Sequence, residues 1–206
     1  MANMKLLSVS VILASVLISG CAPVLVGGAA ITSATVMTDR RSTGSIVDDE
    51  VLEKRVRYEI GEVIGHDKHH IAVTSYEGKV LLTGEVLTSL DKERAQAVAT
   101  KSVGVNTVIN ELAVMDPSSV TTLLSDSMLA TKVRSAIIGT ENISLNQMKV
   151  TVQRGMVYLM GIVTPEEAKL ASKVAAGVNG VQQVVTCFNV ETKAAIDNRL
   201  KNLSHN

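Results

Sequence analysis

Val73-Thr-Ser-Tyr-Glu-Gly78-Lys-Val80-Leu-Leu82-Thr-Gly84-Glu-Val86 returns 77 positions later as Val150-Thr-Val-Gln-Arg-Gly155-Met-Val157-Tyr-Leu159-Met-Gly161-Ile-Val163. In both copies apolar residues alternate on either side of a short polar pair, Glu77-Gly78 or Arg154-Gly155. That pattern predicts a β-hairpin with a tight turn. The match extends outward at the same offset over residues 49–86 and 126–163, with Leu52, Val56, Arg57 and Ile60 answering Leu129, Val133, Arg134 and Ile137. After one deletion, residues 95–114 align with 171–190, and Gly104-Val105 answers Gly180-Val181. The body of the chain is an internal duplication.

Each repeat reads helix, strand, strand, helix, strand. Residues 48–64 and 125–138 carry apolar residues at helical spacing, with Asp or Ser placed to cap the start. Residues 90–102 and 165–178 are alanine-rich helices, and Pro165 suits a first turn, where its missing N–H is not needed. Residues 107–114 and 183–190 are β-branched, alternating strands. A strand that crosses over a helix into a parallel neighbour does so right-handedly. The prediction is therefore α+β: two units, each a three-stranded mixed sheet with two helices on one face. Boundaries fall at 47–115 and 125–191, with a short linker at 116–124 and a polar tail at 192–206 that is expected to fray. Units of about 70 residues are marginal alone, so docking of the two is expected.

The amino terminus reads differently. Met1 to Lys5 carries one positive charge, residues 6–17 are almost wholly apolar, and small residues precede a cysteine in Leu17-Ile18-Ser19-Gly20-Cys21. This is the pattern of a bacterial lipoprotein signal peptide over residues 1–20, with Cys21 as the acylated first residue of the mature chain. The plainer alternative is a secretory signal with an incidental cysteine. Each acyl chain adds about 0.8 kcal/mol per buried methylene, so several chains hold firmly where one does not. Ala22, rather than Asp, follows the cysteine, which favours the outer membrane by analogy with bacterial sorting. Residues 21–46 form the linker, rich in Gly, Ala, Ser and Thr, with Asp39-Arg40-Arg41 near its end.

Composition narrows the function classes. Formal net charge is +0 and tryptophan is absent; Tyr58, Tyr76, Tyr158 and Phe188 are the aromatic residues. A nucleic-acid partner is not expected from such a charge, nor a stacking platform for bases or sugars. With Cys21 acylated, Cys187 has no partner and reads as a buried, inert thiol. No catalytic constellation is recognisable. His66, His69 and His70 beside Asp67 read as a solvated loop rather than a metal site, because their spacing fits no compact set of ligands. Lys92-Glu93-Arg94 and Glu166-Glu167 read as ordinary solvated helix faces.

On a helical wheel, Leu129, Val133, Ala136 and Ile137 form the core face of the second repeat's first helix. Met128, Thr131, Ser135 and Ile138 lie opposite, flanked by Lys132 and Arg134, with Asp126 as the only acid. Apolar groups beside basic ones on an outer face suit an anionic lipid surface; packing of Met128 and Ile138 against the first repeat is the other reading. The first repeat's helix instead mixes Glu50, Glu53, Glu59 and Glu62 with its bases. Gly161, beside Ile162, reads as a close backbone approach or as part of a lipid-facing edge.

The order of elements, the Gly78-Lys79-Val80 turn region, Gly84 and Gly161, and Gly104-Val105 and Gly180-Val181 resemble the BON domain, a small module of bacterial periplasmic and outer-membrane proteins. Two copies behind a lipobox resemble its dual-BON outer-membrane lipoproteins. The resemblance implies binding of phosphatidylglycerol and cardiolipin through the first helix of the second domain, without cofactor, metal or catalysis. The implied contact set is Met128, Leu129, Thr131, Lys132, Arg134, Ser135, Ile138, Gly161 and Ile162. Met128 stands where the family's lipoproteins carry a tryptophan, which keeps an apolar group but loses the interfacial preference of indole. It also implies roles in outer-membrane integrity, envelope stress and cell division. The alternative is a module that docks an outer-membrane assembly component or a cell-wall hydrolase regulator.

Overall fold

The computed structural model describes residues 39–66 and 69–204. The signal peptide, Cys21 and most of the linker lie outside the described residues. Helix α1 (Thr43–Ile64) leads into the hairpin β1 (His69–Tyr76) and β2 (Lys79–Val86), then α2 (Ser89–Lys101) and β3 (Thr107–Val114). The second repeat runs α3 (Val120–Ile138), a 3-10 turn at Leu145–Gln147, β4 (Met148–Gln153), β5 (Met156–Val163), α4 (Pro165–Ala176), β6 (Gln183–Thr186) and β7 (Asn189–Val190). A fifth helix, α5 (Lys193–Leu203), closes the chain.

In each repeat the middle strand pairs antiparallel with the first and parallel with the last. The predicted turns are present, with φ at +50° and +73° for Glu77 and Gly78 and at +53° and +75° for Arg154 and Gly155. Two successive positive-φ residues give the type I′ geometry whose twist suits a hairpin. The last strand of the second repeat, expected to be continuous, is broken at Cys187 and Phe188, although Cys187 N–H still donates to Leu159 O at 2.8 Å.

Three features depart from the sequence reading. The first helices begin earlier than expected. Ser42 Oγ accepts from Ser45 N–H and Ser119 Oγ from Thr122 N–H, so these serines are the caps. Asp49 and Asp126 lie within the helices, on the buried side, and take up another task described below. The tail is helical over its described residues rather than frayed: Thr192 caps α5, and Ile196 is 3% exposed against Tyr158 and Ile162. Its polar composition concealed a narrow stripe, Ile196 and Leu200, one helical turn apart. His69 and His70 belong to β1 rather than to a loop.

Two cores lie between each sheet and its own helices, around Val56, Val80 and Leu82 in one and Val133, Val157 and Leu159 in the other. A third cluster joins the opposite sheet faces: Tyr76 and Leu81 from the first repeat, Tyr158, Met160 and Ile162 from the second, with Ile196 of α5. The repeats therefore meet through the faces their helices leave bare. Polar contacts edge this interface. Lys149 Nζ lies 2.7 Å from Glu53, Lys79 Nζ donates to the carbonyls of Cys187 and Phe188, and Tyr76 O–H donates to Gln147 O. Glu85, wholly buried, accepts from Ser118 Oγ of the linker at 2.5 Å and from Gln153 Nε2 at 2.9 Å.

Candidate membrane-facing surface

Helix α3 turns Leu129, Val133 and Ile137 into the core and leaves the opposite side in solvent. Met128 and Ile138 are 66% and 68% exposed, so neither packs against the first repeat. Thr131, Lys132 and Ser135 share that open side. Because α3 starts at Val120, two further apolar residues join it: Val120 (72% exposed) and Leu124 (57%). The sequence reading missed them by starting the helix at Ser125; continuing the four-residue spacing back from Met128 would have found them. From Val120 to Ile138 the stripe runs about 27 Å at 1.5 Å per residue.

The remaining expected residues fall elsewhere. Leu129 is part of the core. Arg134 donates from Nη2 to Val150 O at 2.7 Å, which ties its guanidinium to the neighbouring strand. Gly161 is buried on β5, and a Cβ there would collide with the Gln147 carbonyl oxygen and lie 3.0 Å from Met148 Cα. The close backbone approach is thus its role. Ile162 is fully buried in the interface cluster under α5. The exposed set is therefore Met128, Thr131, Lys132, Ser135 and Ile138, extended by Val120 and Leu124, with Arg134 also exposed but leaning toward β4.

Asp126, the one acid of α3, faces inward. Its carboxylate accepts the N–H groups of Arg154 (2.6 Å) and Gly155 (2.9 Å), clasping the β4–β5 turn. Asp49 does the same for Glu77 and Gly78, at 2.8 and 3.1 Å, and also accepts from Ser75 Oγ. Burial pushes the Asp49 carboxyl up, but hydrogen bonds from Ser75, Gly78, Glu77 and Arg41 bring it below its ordinary value. With Asp126 turned in, α3 presents no carboxylate outward.

Helix α1 also exposes apolar residues, Val47, Val51 and Tyr58. Exposed Asp48, Glu50 and Glu62 and half-buried Glu59 lie on the same helix. The contrast continues in two equivalent grooves, each formed by the start of the first helix, the hairpin turn and the glycine loop before the last strand. The groove beside α1 has a volume of about 650 Å³ and includes Asp48, Arg55, Glu77 and Gly104. The groove beside α3, about 540 Å³, includes Ser125, Lys132, Arg154 and Gly180 at the matching positions.

The chain enters the described fold at a docked segment. Arg40 donates to Ile162 O at 2.7 Å and forms a forked pair with Glu167 at 2.7 and 2.8 Å. Glu167 is therefore not the solvated residue expected: it pairs Arg40 and completes the capping box with Thr164. Arg41 lies 4.1 Å over the Tyr76 ring and reaches Asp49. The segment that enters the fold thus touches both repeats.

Cys187 is buried, and burial pushes its thiol up, away from the reactive thiolate. Among the described residues no three His, Cys, Asp or Glu side chains gather to hold a metal, and no helix is long and apolar enough to cross a membrane.

The BON domain profile matches residues 48–116 and 125–192. Outer membrane lipoprotein DolP of Haemophilus influenzae is 35% identical over 176 residues, covering 85% of this chain and 91% of that protein. The 21 kDa hemolysin of Actinobacillus pleuropneumoniae is 34% identical over 152 residues, covering 73% of this chain and 78% of the relative. Among solved structures, the C-terminal domain of CdsD, the structural protein of the type III secretion system of Chlamydia trachomatis, covers 66% of this chain and 96% of its own. At 12% identity and a TM-score of 0.28, that likeness is too slight to bear on function. The chain belongs to the BON domain family, as a two-domain member of the kind that includes DolP.

Proposed function

We propose that this protein is an outer-membrane lipoprotein of the periplasmic face, acylated at Cys21, that binds anionic phospholipid through the outward side of α3. One observation carries the reading: exposed Val120, Leu124, Met128 and Ile138 lie on one helix with Lys132 and no outward carboxylate. Apolar side chains on such a helix enter the headgroup boundary, and each base near an anionic surface adds about 1 kcal/mol. These increments suffice because the acyl anchor already holds the domain near the bilayer, where effective concentration is high. The first helix, with its mixed charges, lacks this character. The role is binding rather than catalysis. As the family resemblance implies, the reading extends to a part in outer-membrane integrity, envelope stress and cell division, with phosphatidylglycerol and cardiolipin as the lipids.

Flotation of the anchor-free chain, residues 22–206, with phosphatidylglycerol vesicles tests the reading; every described residue is retained in it. Binding should require the anionic lipid and weaken as salt rises. Equal flotation with phosphatidylcholine vesicles, or none with either, would contradict it.

A second reading rests on α1. Val47, Val51 and Tyr58 set among both signs of charge suit a protein partner, such as an outer-membrane assembly component or a cell-wall hydrolase regulator. Capture of such a purified partner in neutral detergent, lost on Val51→Glu and kept on Met128→Glu, is the corresponding test.

A further inference from the structure

The grooves beside α1 and α3 are built from equivalent positions, yet their charges are reversed. The first sets Asp48, Asp49 and Glu77 against Arg55. The second sets Lys132 and Arg154 against Asp126. In the first groove Glu77 is paired with Arg199, Asp49 with Arg41, and Arg55 donates to Val103 O. In the second, Asp126 is occupied by the turn amides, and the two cations are left largely open. Lys132 is exposed; Arg154 keeps 41% of its side chain exposed and reaches Ser118 Oγ at 3.3 Å and Glu85 at 3.8 Å. The backbone comes close on the third side, where Gly180 has φ +104°. Met128 lines the same groove, so its mouth opens beside the exposed stripe.

We propose that the groove between α3, the β4–β5 turn and the Gly180 loop seats the phosphate ester of an anionic lipid headgroup. Lys132 and Arg154 supply the cations while Met128 enters the acyl layer beside it. The proposal rests on the lipid reading of α3 and adds to it a defined headgroup seat that extends from the helix to the β4–β5 turn and the Gly180 loop. Arg154 is central because the equivalent residue of the first repeat, Glu77, carries the opposite charge. A guanidinium can grip two phosphate oxygens at once, whereas an ammonium acts as a point charge.

The test uses the anchor-free chain and NMR titrations with three probes: phosphatidylglycerol micelles, phosphocholine micelles and glycerol 1-phosphate. Lys132→Gln and Arg154→Gln should each weaken binding to the anionic micelles roughly fivefold and leave the phosphocholine micelles unaffected. Arg154→Lys should recover part of the loss, which separates charge from fold, and Arg55→Gln in the opposite groove should change nothing. Met128→Glu should also weaken binding to the anionic micelles but leave the glycerol 1-phosphate shifts intact, because it removes the inserting group rather than the headgroup contact. Glycerol 1-phosphate alone should shift the amides of Gly155 and Gly180, and these shifts should vanish in Arg154→Gln. Groove variants that bind anionic micelles like the parent, while Met128→Glu does not, would overturn the seat and spare the α3 reading. A parent chain that binds neither micelle would overturn both. Groove shifts with glycerol 1-phosphate but not with phosphatidylglycerol micelles would overturn the membrane as the source of the ligand.

Discussion

Thr74 and Thr151, 77 residues apart and equivalent in the two repeats, meet hydroxyl to hydroxyl at 3.3 Å. Each repeat thus offers the same sheet face to the other at this point, as in an isologous interface within one chain. Duplication alone would make both sides of such an interface identical. They have diverged at Glu85, whose counterpart is Ile162: one is a buried carboxylate and the other a buried hydrocarbon. The first now joins the linker to the second hairpin, and the second lies under α5.

Glu85 should therefore govern the acid limit of stability. Burial pushes its carboxyl up, but hydrogen bonds from Ser118, Gln153 and His70 hold it below its ordinary value. Asp49 and Glu167 are also lowered. A depressed carboxylate stabilises the fold above its unfolded pKa and loses that contribution as pH falls through the folded one. The melting temperature should be level near neutrality and fall as pH drops below about 4.5. Glu85→Gln should flatten part of that fall. Glu85→Ala, which strands several donors, should cost about 3 kcal/mol at neutral pH in a denaturant melt.

Gly161→Ala should destabilise the protein by about 1–3 kcal/mol, because the added methyl meets the backbone of β4 rather than a movable side chain. Lipid affinity of the folded fraction should be unchanged. A normal melt combined with weaker lipid binding would return Gly161 to the lipid surface.

The aspartate clasps should be worth different amounts. Asp126 holds two turn amides, whereas Asp49 holds two amides, a hydroxyl and Arg41. Removing the acceptor from a buried donor costs about 1–3 kcal/mol. Asp49→Ala should therefore lower the melting temperature more than Asp126→Ala, and each Asn variant should cost less than its Ala counterpart.

The terminal helix is expected to be integral. Ile196→Asp places a charge against Tyr158 and Ile162 and should cost about 3 kcal/mol or more. Deleting residues 193–206 should bare Ile162 and raise binding of a hydrophobic dye. An unchanged melt in either variant would show that α5 is dispensable.

The repeat made most of each domain legible. Alternation around Glu77-Gly78 and Arg154-Gly155 set the hairpins, and Pro165 marked a helix start, because strand period and turn chemistry are local. Contacts between repeats were not local and left weaker marks. Glu167 reads as a solvated acid until Arg40 is seen across it, and Glu85 gives no sign of burial beside Gly84. Asp48 and Ser125 read as caps because such residues near a helix start usually are; the neighbouring Asp49 and Asp126 instead find partners 28 residues onward in the turns. The proposed membrane-facing side was half legible. Met128 and Ile138 stood out on the wheel, while Val120 and Leu124 were lost with the early helix turns, and Arg154 could be placed beside Lys132 only once the hairpin was folded.

The most direct measurement is a backbone NMR titration of residues 22–206 with phosphatidylglycerol micelles at low salt, on the parent chain and a Met128→Glu, Ile138→Glu variant. The account predicts shifts concentrated between Val120 and Ile138, little change along α1, and loss of the effect in a variant whose spectrum is still that of the folded protein. Shifts centred on Val47, Val51 and Tyr58, or no shifts in the parent chain, would contradict it.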